Sequence, residues 1–543
     1  MKPSRRNLLA LGGGAMAGVV FTPLPWKLLD DTAIWTQNWP WIPQPARGPV
    51  EVKAAACSLC PHGCGLQVRM AAGFPVGVSG APAHPVSGGA LCPLAFGAHQ
   101  LNWHPRRLHE VRRRGRAASW DAASMALRAA AAEGPVAVID GRPGRGASAI
   151  LRDFAGKSGA YITAPGPEER SLAPYAAWSG VPASALGYDL ESARTIISFG
   201  APLLDGWGTP GRFTRLWSTH AAGLGDPELR LIQIEPGLSH TATLAWRWVP
   251  ARPGSDAALA AGLARVLVEE RLVPAKGPVP ATSVADAAGA AGLPADAIVE
   301  LARMIAQRAP ALAISVDGEP AVAALNLLLG GGIVQRRETA APQAAAIAPR
   351  AVVIDATVPW EYEPASGAEV FRFAAWDGGG SKADWLLPAP GFLEEITEHP
   401  SAPGSAVASY ALSPALMDAP ADVRGAAAFV GGTPADAVLA RCQEIFRARN
   451  GGLYRRGAKD AVPLASLESA ARLQDELLAG AVWVDDPAGS RKVRCELKEW
   501  PAAAAGTHRG GWADAWSAPV LPPLATKLYQ ESNLREVPAR SRI

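Results

Sequence analysis

Four cysteines hold most of the chemistry open to this chain. Cys57, Cys60 and Cys64 stand in the run Cys57-Ser-Leu-Cys60-Pro-His-Gly-Cys64, and Cys92 follows in Gly88-Gly89-Ala90-Leu91-Cys92-Pro93. A cubane iron–sulfur cluster needs four thiolates that converge on one centre. A tight loop bearing Gly63 and Gly65 can present three of them from neighbouring positions, and a distant segment closes the cage. Tetrahedral zinc is the chief rival. Zinc sites more often pair two C-x2-C knuckles, however, and the second knuckle is missing here. The expectation is one [4Fe–4S] cluster on Cys57, Cys60, Cys64 and Cys92, with zinc, structural thiols or disulfides as the alternatives. His62, inside the loop, is expected to shape the cluster's surroundings rather than bind iron.

The elements that must position these thiols lie on either side of them. Gly65-Leu66-Gln67-Val68-Arg69 and Pro75-Val76-Gly77-Val78-Ser79 alternate like two short strands around the Ala71-Ala72-Gly73 turn. Residues 51–115 are therefore expected to form a cluster domain. An extended arm precedes it at 26–50, where Trp35, Trp39 and Trp41 sit among prolines that forbid a regular helix. That arm either docks on a partner or membrane interface or packs back on its own chain. The run Arg106, Arg107, Arg112, Arg113, Arg114 and Arg116 reads as a solvated face, with docking to an acidic partner as the lesser alternative.

From Pro135 the pattern changes to strand–turn–helix. Val136–Asp140, Thr195–Phe199, Leu229–Ile234, Ala311–Ser315 and Val352–Asp355 read as buried strands. Helices are expected at Ala147–Phe154, Asp256–Glu270 and Ala295–Gln307. Strands separated by helices imply parallel sheets covered on both faces. The expected division is a first α/β lobe at 116–310, a second at 311–400, and a reduced C-terminal domain with a closing arm at 401–543. The Gly-rich turn Gly141-Arg-Pro-Gly144-Arg-Gly146 departs from the order of a dinucleotide fingerprint. It reads as a tight βα turn more readily than as a nucleotide site. The nine histidines show no metal-like spacing, and Asp384, Glu394 and Glu395 read as isolated solvated or capping carboxylates.

A chain of 543 residues can hold several domains, and a formal charge of +3 is too small to imply a nucleic-acid partner. Of six cysteines, Cys442 and Cys495 stand outside the motif, as buried thiols or a disulfide. The N-terminus, Ser4-Arg5-Arg6-Asn7-Leu8-Leu9, leads into an uncharged Gly-rich run to about Phe21. Paired arginines before such a run look like a twin-arginine export signal at 1–25. That route carries proteins already folded around their cofactors, and its destination is the periplasmic face of the cytoplasmic membrane. Ala15-Met16-Ala17 fits a cleavage site, and a retained N-terminal anchor is the alternative.

The cysteine motif, Pro85-Val86 ahead of Cys92, and Pro105-Arg106-Arg107-Leu108 resemble the first domain of the molybdopterin oxidoreductase family. Asp189-Leu190-Glu191-Ser192-Ala193, Ser198-Phe199-Gly200-Ala201, Arg252-Pro253-Gly254-Ser255-Asp256, Ala324–Gly330 and Ala383–Pro388 continue the resemblance in order from about 55 to 395. It implies an α/β fold with a small N-terminal iron–sulfur domain, two Rossmann-like lobes and a final β-barrel, reduced here to the shorter C-terminal domain. The chain departs from cofactor-bearing members at several places. Leu94 stands where a basic residue commonly links cluster to pterin, and no cysteine lies in 160–190 to bind the metal. Ser171 and Ser179 are there, but nothing marks either as a ligand. Glu235-Pro236-Gly237 replaces the usual Asp-Pro-Arg.

Together these departures imply a member without the molybdopterin guanine dinucleotide. Such members are large iron–sulfur subunits of the quinone reductase complex and of alternative complex III, which Leu524–Arg535 resembles in particular. The implied role is an electron-transfer and scaffold subunit of a membrane-bound quinone oxidoreductase complex. The implied partners are a ferredoxin-like multi-cluster iron–sulfur subunit, a polytopic quinone-binding membrane subunit and a multihaem cytochrome c. The alternatives are a catalytic molybdenum subunit of polysulfide or thiosulfate reductase type, and a pure scaffold whose cluster lies off any electron path.

Overall fold

The apolar runs at 136–140, 195–199 and 311–315 become strands buried along their whole length, as strands covered on both faces must be. The computed structural model describes residues 4–21 and 48–501, apart from 61, 157, 164–166, 205–206, 209, 222–226, 274–277, 336–347, 356–366, 378–382, 402–407 and 486–490. Trp35, Trp39, Trp41 and the closing arm lie outside the described residues. Met1–Val50 and Glu51–Ile543 are two compact units. In the first, Arg5–Phe21 is a helix that opens on the arginine pair. Among the described residues no helix is long and apolar enough to cross a membrane.

Along the chain, β1 (Val50–Ala56), β2 (Gly65–Ala71) and β3 (Phe74–Gly80) form a three-stranded sheet. The hairpin of β4 (Val111–Arg113) and β5 (Arg116–Ala118) follows, then β6 (Val136–Asp140) and β7 (Ala160–Thr163). After β8 (Leu186–Tyr188) come β9 (Thr195–Phe199), β10 (Arg230–Ile234), β11 (Arg247–Val249) and β12 (Ala311–Ser315). Beyond β13 (Ile333–Gln335) lie β14 (Ala351–Asp355), β15 (Glu369–Ala374) and β16 (Trp385–Pro388).

Two of the sheets built from these strands are doubly wound. One has seven strands in the order β5-β4-β16-β15-β14-β6-β7, parallel from β16 to β7. The other is wholly parallel in the order β11-β10-β9-β12. Helices Asp256–Glu269 and Ala295–Gln307 bury Leu259, Leu263, Ile298 and Ile305 against Ile197 and Ile232 of the second sheet. Each such side chain stabilises the lobe by about 1.5–3 kcal/mol. The expected break at residue 310 is therefore corrected: β12 belongs with β9, and the whole 195–315 lobe is inserted into the lobe that β14–β16 complete. The expected end of the cluster domain at 115 also divides the β4–β5 hairpin, which joins the seven-stranded sheet where β4 pairs with β16. Strand partners hundreds of residues apart leave no local pattern, so neither boundary was legible.

The C-terminal part is a five-stranded antiparallel sheet, β17 (Thr397–Pro400), β18 (Ser409–Ser413), β21 (Val482–Val484), β19 (Gly452–Tyr454) and β20 (Ala461–Pro463) in that order. Helices Pro434–Ala448 and Ala470–Leu478 pack with it, and Cys442 sits in that core. The expected mixed α/β class with a small N-terminal domain and two α/β lobes is the observed one. A short strand, β22 (Arg491–Lys492), pairs with β13. Cys442 and Cys495 are both free thiols.

Candidate metal centre

The loop between β1 and β2 carries the first three motif cysteines. It closes on itself where the Cys57 N–H donates to the Cys64 carbonyl at 2.8 Å. Gly63 turns through a left-handed φ of 65°, and the site of its missing Cβ is 2.9 Å from His399 Cβ, so the turn is pressed against β17. Cys92 caps the short helix Pro93–Phe96 from the other side. Ser87, fully buried, staples the two segments: its Oγ accepts the Gly65 N–H at 3.2 Å and lies 3.1 Å from His84 Nδ1. The Ser87 N–H also reaches His84 Nδ1, at 3.1 Å, so Nδ1 accepts and the ring proton sits on Nε2.

All four motif thiols are buried and free. Burial pushes Cys57 and Cys64 well above the ordinary thiol range and Cys60 to about 12, and repulsion among the thiols adds to this. Backbone N–H groups of Leu59, His62, Leu94 and Ala95 act the other way, on Cys57, Cys60 and Cys92. Four thiols that repel one another in an apolar pocket, each ready for backbone donors, fit a polycationic core that makes them thiolates. Among the described residues no three His, Cys, Asp or Glu side chains close at single-ion distance. The thiols of Cys57, Cys60, Cys64 and Cys92 nonetheless lie near enough to one another to couple electrostatically.

Helix Pro210–Leu216 of the inserted lobe presses on this loop. The position of a Gly211 Cβ lies 2.6 Å from Cys64 Sγ and 3.0 Å from His62 Nε2, so only glycine fits there. Arg215 Nη1, on the same helix, donates to the Pro85 carbonyl at 2.9 Å. Arg212 pairs with Glu191 and donates to the Tyr188 carbonyl at 2.9 Å. His62 is buried with neither ring nitrogen partnered, and burial, with His84 and Arg212 nearby, pulls its pKa to about 3. Leu94 packs against the apolar core of the cluster domain.

A second site, missed in the sequence, lies at the crevice where β6 and β14 part company. Ligands of doubly wound sheets bind at such a point, with phosphates on the following helix N-terminus. Here the chain's own side chains fill it. Arg145 Nη2 donates to Asp140 Oδ1 at 2.8 Å and to Asp355 Oδ2 at 2.6 Å, and Tyr161 donates to Asp140 at 2.7 Å. Buried Glu398 accepts the N–H groups of Gly146 and Ala147 at 2.6 and 3.3 Å, and Tyr410 donates to it at 2.6 Å. A Cβ on Gly146 would strike the Ala437 carbonyl, so these glycines make room for the C-terminal helix. The 141–146 stretch is a tight βα turn whose anion seat holds a carboxylate, and a dinucleotide phosphate does not fit it.

The carboxylates read as solvated need correction. Glu394 is buried and paired with Arg107, whose Nη1 also donates to the Ala375 and Ala389 carbonyls at 2.7 and 2.9 Å. Arg107 thus leaves the solvated run. Glu395 is half-buried, and burial, with Asp355 among the nearby charges, pushes it up to about 7. Asp384 caps no described helix: it accepts the Val370 N–H of β15 at 3.0 Å and pairs with Arg114. Ser171 and Ser179 donate to the carbonyls of Glu168 and Tyr175, both at 2.7 Å. Glu235 accepts from Ser239 N–H and Gln233.

Residues 50–100 match the molybdopterin oxidoreductase Fe4S4 domain. Over 280 residues the chain is 33% identical to the menaquinone reductase molybdopterin-binding-like subunit of Nitratidesulfovibrio vulgaris, covering 50% of this chain and 40% of that protein. It is 24% identical over 337 residues to the thiosulfate reductase molybdopterin-containing subunit of Salmonella typhimurium, covering 53% and 43%. The chain therefore matches under half the length of these relatives. Acetylene hydratase from Pelobacter acetylenicus shares the fold, with a TM-score of 0.56 at 15% identity over 80% of this chain and 74% of that one. The cysteine loop, the doubly wound sheets and these likenesses agree: residues 50–100 carry a domain of the molybdopterin oxidoreductase Fe4S4 type, and the chain around it is similar in sequence and fold to proteins that bear that domain.

Proposed function

We propose that this chain is an electron-transfer and scaffold subunit of a membrane-bound quinone oxidoreductase complex, with one [4Fe–4S] cluster on Cys57, Cys60, Cys64 and Cys92 and no molybdenum cofactor. The observation that carries this reading is a contrast. The four motif thiols are buried, free and electrostatically coupled, which supports a cluster there, while the switch-point crevice is filled by Arg145 and Glu398. The likeness to a menaquinone reductase subunit supports the quinone role. When bound, a cubane supplies one-electron redox chemistry. The chain's part is to hold its four thiols in an apolar, water-poor cage and to aim backbone N–H groups at their sulfurs.

The partners that go with this role are a ferredoxin-like multi-cluster subunit, a polytopic quinone-binding subunit and a multihaem cytochrome c. Export by the twin-arginine route would place the chain on the periplasmic face. A catalytic molybdopterin subunit is the second reading, favoured by the likeness to a thiosulfate reductase subunit. Metal analysis decides between them. About four irons with sulfide and no molybdenum or tungsten per chain support the proposal; one molybdenum or tungsten per chain sinks it.

A further inference from the structure

We propose that His62 is a positioning residue that donates a ring N–H to the sulfur cage and raises the cluster's reduction potential. This rests on the reading that the four thiols hold a cluster, and names one residue that tunes it. His62 is 5% exposed, and both its ring nitrogens lack a hydrogen-bond partner. Buried polar atoms are nearly always paired, and an orphaned one is costly. If the position only needed filling, an apolar side chain would serve with no orphaned nitrogen. The ring edge borders the cage: Nε2 and Cys64 Sγ lie 3.0 and 2.6 Å from the same point beside Gly211. Gly211 and its helix shut that side, so the ring cannot swing out there to find another acceptor. Thiolate and sulfide sulfurs are the acceptors that complete it. A donor bond to them favours the more negative, reduced cage, and so lifts the potential.

Redox titration of the iron-loaded full chain, followed by EPR, tests this with His62→Leu and His62→Gln. The leucine variant is expected to be about tenfold harder to reduce, ~59 mV lower for a one-electron couple. Glutamine keeps a donor and is expected to recover most of the shift. Pulsed EPR of the wild-type chain labelled with 15N-histidine is expected to show a nitrogen coupling that His62→Gln abolishes. Equal potentials in loaded wild type and leucine variant, or no histidine coupling in the wild type, would overturn the role given to His62. If His62→Leu does not load, the wild-type coupling alone decides. A wild-type chain holding zinc, or no metal, overturns the cluster reading itself, and metal content reports that before any titration.

Discussion

The cluster loop and the 141–146 turn are built from similar material and finished in opposite ways. Both are Gly-rich, both are lined by buried charged or imidazole side chains, and both touch β17. Adjacent strand residues face opposite ways, and β17 sends Glu398 to the turn and His399 to the loop at Gly63. At the turn, the Glu398 and Arg145 groups find protein partners. At the loop, four thiols repel one another, and His62 and Arg212 keep unpartnered nitrogens. A saturated network is a fastener, whereas each buried polar group without a partner calls for its own explanation.

The largest break in this contrast comes from the thiols. Cys60→Ser or Cys64→Ser should remove the iron and its visible absorbance almost completely, while Cys442→Ser and Cys495→Ser leave both unchanged; equal iron in all four would contradict the assignment. Glu398→Ala should lower the unfolding free energy by about 2–3 kcal/mol, the scale of hydrogen bonds to a buried charge. Pyrophosphate should not raise the wild-type Tm, and a rise would show that the turn still accepts phosphate. Gly211→Ala should cost about 1–3 kcal/mol by overpacking, with reduced iron occupancy because the Cys64 sulfur cannot give way; unchanged iron would mean the helix moves aside.

The smallest effect is in pH dependence. Burial holds His84 and His399 neutral, at about 4 and about 3. The unfolded chain protonates both near pH 6.5, so stability is intact above that and falls as the pH drops toward 4. Glu395, at about 7 against an ordinary 4.5, acts in the opposite sense: its contribution is present below 4.5 and lost as the pH rises to 7. Glu395→Gln removes this offset. Urea unfolding between about pH 5 and 6.5 should then show stability falling more steeply with acid, by at most ~1.4 kcal/mol per pH unit. An unchanged slope would mean Glu395 ionises normally in the folded chain.

Much of this was legible in advance because its signals are local. Three cysteines within eight residues, five apolar runs of strand length and the turns between them carry their meaning in neighbouring letters. Arg107 and Glu394 carry none. They are 287 positions apart, and each resembles a solvated charge until the chain folds. Glu398 is likewise an ordinary carboxylate in sequence, and becomes an anion-seat occupant only when β17 reaches the helix at Gly146.

The amino-acid order by itself determined the α/β class and the cysteine motif of the Fe4S4-type domain, since side-chain chemistry and short-range periodicity are written residue by residue. Tertiary structure alone decided which lobe is inserted into which, what fills the switch point, and that His62 is left without a partner. Those outcomes depend on burial and on contacts across hundreds of residues, and desolvation acts only once distant segments have closed over a group.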